Sequence, residues 1–279
     1  PRDPNHSGDR GVFYCLNEED GRLLWQLVVP KLTTSIYWDW PRAGICSSAT
    51  VDGDRVYLLS NRGQVLCLDI KGLENGNDGP FQDESRYMTL EGERPVPLSP
   101  TDADILWIYD LIAELDVRQH DSGHSSLLIH DNYLYVNTSN GVDDTHNEIH
   151  SPAAPSLVVL DKRTGALVAQ DHEKIGPRIF HSTWSSPALA TVNGRDMIFF
   201  GGGDGVLYAF EAITADSPPF LKKIWTYDGD PTAPKVNVHN YMKNRRVSPS
   251  NVKSMPVFYQ KRSTSPLAAI SGGVSASRG

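Results

Sequence analysis

The chain of 279 residues repeats itself, and a repeat of this length restricts the fold more than any composition does. The stretches "SSATVDGDRVYLLSNRGQVLCLDIKG" (47–72) and "SSPALATVNGRDMIFFGGGDGVLYAFEA" (185–212) share one plan. Each has a Ser-Ser start, a short strand, a polar turn, a second strand, a glycine turn and a third strand. A further copy starts "SSLLIHDNYLYVNTSNG" (125–141). It is stretched by "VDDTHNEIHSPAAPS" and resumes as "LVVLDKRTGALVAQD" (157–171). That last piece matches "VFYCLNEEDGRLLWQL" (12–27), and "SMPVFYQKR" (254–262) opens once more. Residues typical of strands, bounded by Gly, Asn and Asp, mark these pieces as strands and turns. One small antiparallel sheet cannot bury both of its faces alone, whereas sheets stacked around an axis bury face against face. The expected fold is therefore all-β: a β-propeller of four-stranded antiparallel blades, about four of them or an incomplete propeller, with long inserted loops.

The Ser starts at 47, 125, 185 and 254 lie 78, 60 and 69 residues apart, beyond the ~40–50 of an ordinary blade. Insertions are accordingly expected at 73–119, 142–155 and 213–250, with a strand and short helix within 103–118. As one propeller domain, the chain divides into a partial blade at 11–40 and blades at 44–120, 122–178 and 182–232. A further blade starts at 253–262, and a flexible tail covers 263–279. Trp25 and Trp225 fit the strand after the glycine turn, and Ala169 takes that place in the third copy. The chain opens inside a unit. Either its ends combine into a closed four-blade ring, with 255–260 beside the first strands, or the sequence is a stretch of a larger one. The second is expected. "GGGDG" (201–205) is a hairpin turn and not a phosphate cradle, because no Gly-Lys-Ser/Thr ends it and a strand-like run follows where a helix would be needed. Asn17, Asp69, Asp161 and Glu211 close the third strands and read as turn formers.

The segments "LNEEDGRLLW", "LDKRTGALV" and "LYAFEA…KKIW" resemble the repeats of PQQ-like β-propellers, whose pattern is "ALDxxTGxxxW". In these, Trp and Gly lock neighbouring blades. The resemblance covers most of 11–262. It extends to uncharacterised bacterial PQQ-binding-like repeat proteins, and the outer-membrane assembly lipoprotein and the quinoprotein alcohol dehydrogenases share the repeat. It implies a periplasmic or cell-envelope location. The repeat specifies fold strongly and function weakly.

Net charge is −8, and no basic stripe runs along the chain, which argues against nucleic acid; Lys243, Arg245 and Arg246 form the densest basic spot, read as a solvated loop. No apolar run approaches the roughly 20 residues of a membrane span. Cys15, Cys46 and Cys67 are too few for a disulfide framework, leave one bridge open, and match no common zinc spacing.

Propellers take ligands at one end of the axial channel. The residues just before each Ser step are then comparable, and Cys46, His124, Trp184 and Lys253 are expected to ring one opening as a binding mouth. Plugging the channel or capping strands is the plainer role. Seven of nine histidines lie between 120 and 181. His120, His124, Asp143, Asp144, His146, His150 and His181 are the candidate metal ligands: imidazole with carboxylate suits zinc, and carboxylate with carbonyl suits calcium. Solvated polar loops without an ion account for the same residues. No nucleophile elbow or oriented Cys/His pair is present.

A non-enzymatic propeller that binds or scaffolds a protein or small ligand is the first functional expectation. A calcium- or zinc-dependent hydrolase of a lactone or ester in the channel is the second. A PQQ-dependent quinoprotein dehydrogenase comes last. The resemblance implies adjacent disulfide-bonded cysteines, calcium ligands and an Asp base for that enzyme, and no adjacent cysteines occur here.

Overall fold

A computed structural model describes residues 6, 8–236, 238, 246, 252–259 and 267–269. Strands β1 (Arg10–Leu16) and β2 (Leu23–Pro30) form sheet I. Sheet II runs β3 (Thr50–Asp52), β4 (Arg55–Leu59), β5 (Gln64–Asp69) and β6 (Ile105–Asp110) in spatial order. Sheet III runs β7 (Leu128–His130), β8 (Tyr133–Asn137), β9 (Leu157–Asp161) and β10 (Leu167–Gln170). Sheet IV runs β11 (Ala188–Val192), β12 (Arg195–Gly201), β13 (Val206–Glu211) and β14 (Lys223–Asp228). A last pair, β15 (Val257–Tyr259) and β16 (Leu267–Ala269), forms sheet V. Every neighbouring pair is antiparallel. Helices α1 (Glu84–Tyr87) and α2 (Leu111–Leu115) are single turns in connections.

Side chains alternate across a strand, and here both faces of the middle strands of sheets II, III and IV are apolar, so each of these three sheets serves two cores. On β4, Val56 and Leu58 pack toward sheet I with Trp25, Leu27 and Val29, while Tyr57 and Leu59 pack toward sheet III. On β9, Val158 and Leu160 join Tyr57 and Leu59, while Leu157 and Val159 join Ile198, Phe200 and Phe210 of sheet IV. Beyond sheet IV, Met197, Phe199 and Ala209 pack with Phe258 of β15. Successive sheets are thus stacked face to face in chain order, as propeller blades are.

The register carries the repeat to single residues. Trp25 lies opposite Cys15, Trp107 opposite Cys67, Ala169 opposite Val159 and Trp225 opposite Ala209, each beside a register shift. The strand and short helix expected within 103–118 are β6 and α2, and Trp225 lies on β14 as expected; the bounds of two expected insertions are corrected, because each holds a fourth strand. β6 lies within 73–119 and β14 within 213–250, because in sheet II the extra chain precedes the Trp-bearing strand instead of following the blade. The Trp–Gly lock is present between sheets. A Cβ on Gly72 would stand 2.8 Å from Trp25, and one on Gly165 would stand 2.6 Å from Trp107. The indoles donate to the Ile70 and Lys162 carbonyls (2.7 and 3.3 Å).

The Ser steps hold the first strands of successive blades to one another. Ser126 N donates to Ser186 Oγ (2.9 Å), Ser185 Oγ to the Ser254 carbonyl (3.0 Å) and Thr50 Oγ1 to the Leu127 carbonyl (2.6 Å). These bonds join positions 60, 69 and 77 residues apart, about one repeat each, so equivalent positions converge on a common centre. β15 pairs with β16 and not with β1, which corrects the ring-closing alternative for the described residues; Gln260 lies outside them. So do 261–266 and 270–279 of the expected further blade and tail, and Lys243 and Arg245 of the basic spot. GGGDG is the expected turn: Gly202 N donates to the Val206 carbonyl (2.8 Å). A Cβ on Gly203 would stand 2.5 Å from the Ser182 carbonyl. Asp204, fully buried, takes hydrogen bonds from Arg178 (3.0 Å) and Tyr208 (2.7 Å).

Candidate functional site

The connections that lead into each blade, and the one between β8 and β9, meet over the converging first strands. They enclose a cavity of about 670 Å³ lined by Tyr37, Trp40, Ala43, Asp121, His124, His146, His181, Trp184 and Lys253. The walls come from chain segments that are distant in sequence, as the repeat predicts. Three of the four expected mouth residues line it together. His124 and Trp184 meet edge to face with ring centroids 5.9 Å apart, and the Lys253 ammonium lies 4.9 Å from the centre of the Trp184 ring, a cation–π distance. Cys46 does not line the cavity; its Sγ sits 3.7 Å from the Ala43 and Gly44 carbonyls, and burial raises the pKa of its thiol, opposed by nearby Lys31. All three cysteines are free.

The expected metal ligands divide into two groups. His120, His146 and His181 come together, with one nitrogen of each ring within 4.8 Å of the others. His120 Nε2 is 3.1 Å from His146 Nε2, and the His181 ring centroid is 4.6 Å from that of His120 and 5.2 Å from that of His146. The other four candidates turn elsewhere. His124 Nε2 donates to the Asp121 carbonyl (2.9 Å), Asp143 accepts from Thr145, Asn147 and Glu148 within its own turn, and Asp144 accepts from Ser35 (2.7 Å). His150 packs edge-on against Trp38, its centroid 6.0 Å away.

Backbone pairing explains the convergence of the three. Val142 N donates to the His181 carbonyl (2.9 Å), and the Val142 carbonyl accepts from His120 Nδ1 (2.8 Å). Gly141 bridges to Ser182, where a Cβ would stand 2.6 Å from the His181 carbonyl and 2.8 Å from His120 Cβ. Only glycine lets these three loops approach so closely. Asp121, Ser122, Ser139 and His146 hold positive φ (64°, 92°, 57° and 60°), a backbone cost that clusters at functional sites. Burial holds the His120 imidazole below its usual pKa. Burial first, then the neighbouring His120, His146 and Lys253, push His181 down to about 3. The His120 and His181 rings are therefore neutral at pH 7, with lone pairs available.

Sequence reasoning missed Tyr37, Trp40 and Asp121. The signal for the first two was "YWDW" (37–40), a dense aromatic run with no strand alternation. Its fold is set by buried Asp39, which pairs with Lys31 and accepts from Leu32 N (3.0 Å) and Asn61 Nδ2 (2.7 Å). Tyr37 then stacks on His120 with centroids 5.5 Å apart.

The sequence model of a family described as outer membrane protein assembly factor BamB matches residues 8–247. No curated protein matches the chain. Among solved structures, BamB from Moraxella catarrhalis is similar at 15% identity over 88% of this chain and 50% of its own, with a TM-score of 0.48. The quinohemoprotein alcohol dehydrogenase from Comamonas testosteroni is similar at 10% identity over 94% of this chain and 37% of its own, with a TM-score of 0.53. The chain thus spans about half of the first and little more than a third of the second.

Proposed function

Because the chain belongs to the BamB-like family of PQQ-like β-propellers, we propose that it is a non-enzymatic binding or scaffold propeller whose ligand seats in the cavity at the convergence of its blades. The observation that carries this reading is the cavity itself: about 670 Å³, walled by Tyr37, Trp40 and Trp184, with the Lys253 ammonium against the Trp184 ring. Ligand sites are concave and mostly apolar with a few placed polar groups. The matching ligand has a flat apolar body and an acidic group, either as a small molecule or as a side chain of a protein partner. The family's description, an outer-membrane assembly factor, supports a protein partner and an envelope location for this chain.

The donor set of the described residues does not fit PQQ. That cofactor carries three carboxylates, against which the described lining of the cavity sets a single ammonium beside imidazole, indole, phenol and one carboxylate. The metal-dependent lactone or ester hydrolase stands second, favoured by three imidazoles beside the same cavity.

Indole-3-acetate and benzoate serve as probes. Saturation-transfer NMR on the full chain is expected to show binding of one or both in the micromolar-to-millimolar range, with at least a tenfold loss in Trp184→Ala and a smaller loss in Lys253→Gln. Binding indifferent to both substitutions, or none at all, overturns the reading.

A further inference from the structure

We infer that His120, His146 and His181 form a zinc site against one wall of the cavity. This goes beyond the binding reading and can fail without it, because metal uptake is measured with no organic ligand present.

Three features of the cluster point to coordination. The first is spacing. Two imidazole nitrogens on a tetrahedral zinc at ~2.0–2.1 Å lie ~3.3 Å apart, and His120 Nε2 and His146 Nε2 are 3.1 Å apart. The third ring lies within 4.8 Å, and His181 is only partly buried, so a modest side-chain rotation closes the set.

The second is the fixed tautomer of His120. A carbonyl can only accept, so Nδ1 carries the proton toward Val142 and Nε2 turns its lone pair to the other rings. This is the outer-sphere arrangement found around zinc-bound imidazoles. Without an ion, the 3.1 Å pair is one N–H···N hydrogen bond with His146 as donor. With an ion, His146 carries its proton on Nδ1 instead, and the step is a tautomer change with no net proton transfer.

The third is charge. Asp121 Oδ1 stands 3.8 Å from His120 Nε2 and offsets part of the ion's charge. Asp121 also lines the cavity, as do His146 and His181. Three imidazoles leave a fourth position for water or a ligand donor, as zinc sites with three protein ligands do, and the cavity is where such a donor would come from. Imidazole suits zinc, copper and nickel; zinc is the ion whose sites with three protein ligands leave the fourth position open to water or substrate.

The full chain, stripped with a chelator, is titrated with Zn2+ by calorimetry and with Co2+ by visible spectroscopy. One ion per chain is expected, with the intense d–d bands of a four-coordinate Co2+ site. His146→Ala and His181→Ala, both at partly buried positions, are each expected to lose more than the ~10–100-fold in affinity that loss of an outer-sphere partner costs. His150→Ala and His172→Ala keep wild-type uptake. Zn2+ raises the wild-type unfolding midpoint and not that of the two ligand variants. Should those variants fail to fold, X-ray absorption of the Zn2+-loaded wild type must still show three imidazole donors. The inference is overturned by absent uptake, by uptake unchanged in His146→Ala and His181→Ala, or by an absorption spectrum without three imidazoles. A chain that binds indole-3-acetate but no Zn2+ overturns the metal site alone.

Discussion

Asp161 closes β9, and its carboxylate accepts from Arg163 N (2.9 Å), Thr164 N (3.0 Å) and Thr164 Oγ1 (3.3 Å). Its equivalents do related work: Asn17 accepts from Glu19 N (2.9 Å) and Asp69 from Lys71 N (2.7 Å). Glu211 departs from them by pairing with Arg195 and Lys222. Burial raises the Asp161 pKa, but the two N–H donors and the Arg163 charge outweigh it and leave the carboxyl below its usual range. A depressed folded pKa means stability that is present above the unfolded value, about 3.9, and lost as pH falls through the folded one. Asp161→Asn is expected to flatten the loss of stability below about pH 4, as followed by urea unfolding across pH. Asp161→Ala is expected to cost about 1 kcal/mol at pH 7 through the lost turn bonds. At this scale the sequence was readable for turn formers, because the side chain bonds its own neighbours. It was not readable for ligands. His120 and His124 stand four apart on a loop, yet one joins the histidine cluster and the other bonds the Asp121 carbonyl. The difference lies in the positive φ of Asp121 and Ser122 between them, which tertiary pairing imposes.

Between elements, the Trp on a fourth strand and the Gly in the next blade's turn are one contact. Trp107 is buried in the core between sheets II and III and meets Gly165. Trp107→Ala is expected to destabilise by about 3–5 kcal/mol. Gly165→Ala, at φ +73° and against the indole, is expected to cost about 1–3 kcal/mol by overpacking. Being neighbours, the two substitutions should not add, and a double-mutant cycle by denaturant unfolding checks this. Copies uninterrupted in sequence were legible as blades because turn, strand and Trp follow at fixed offsets. Trp107 escaped because residues 70–104 separate β6 from the third strand of its blade, and an offset across an insertion carries no signal. The short helix after β6 is capped by Asp110, whose carboxylate accepts from Ile112 N and Ala113 N (both 3.0 Å).

Across the whole molecule, sheets II and III are covered on both faces, whereas β14 leaves Trp225 and Tyr227 at the surface and β1 leaves Tyr14 and Leu16 there. Stability in stacked repeats is approximately a sum of unit and neighbour terms. Amide exchange under native conditions is expected to be slowest in β5 and β9 and faster in β1 and β14. Uniform protection from β1 to β14 would mean that the stack opens as a single unit. Fold class was legible at this scale because the repeat encodes it. The cavity was legible only as a place, since its walls are assembled by blade geometry from loops that share no pattern.

The bonds from Ser126 to Ser186 and from Ser185 to Ser254 tie each turn of the repeat to its successor at the innermost radius. Innermost strands are where a small change in tilt is magnified toward the rim, as at the pivot of a hand fan. A ligand that draws the central loops together would therefore re-aim the outer strands of blades it never touches, and give the far edge of the protein a means of reporting what sits at its centre.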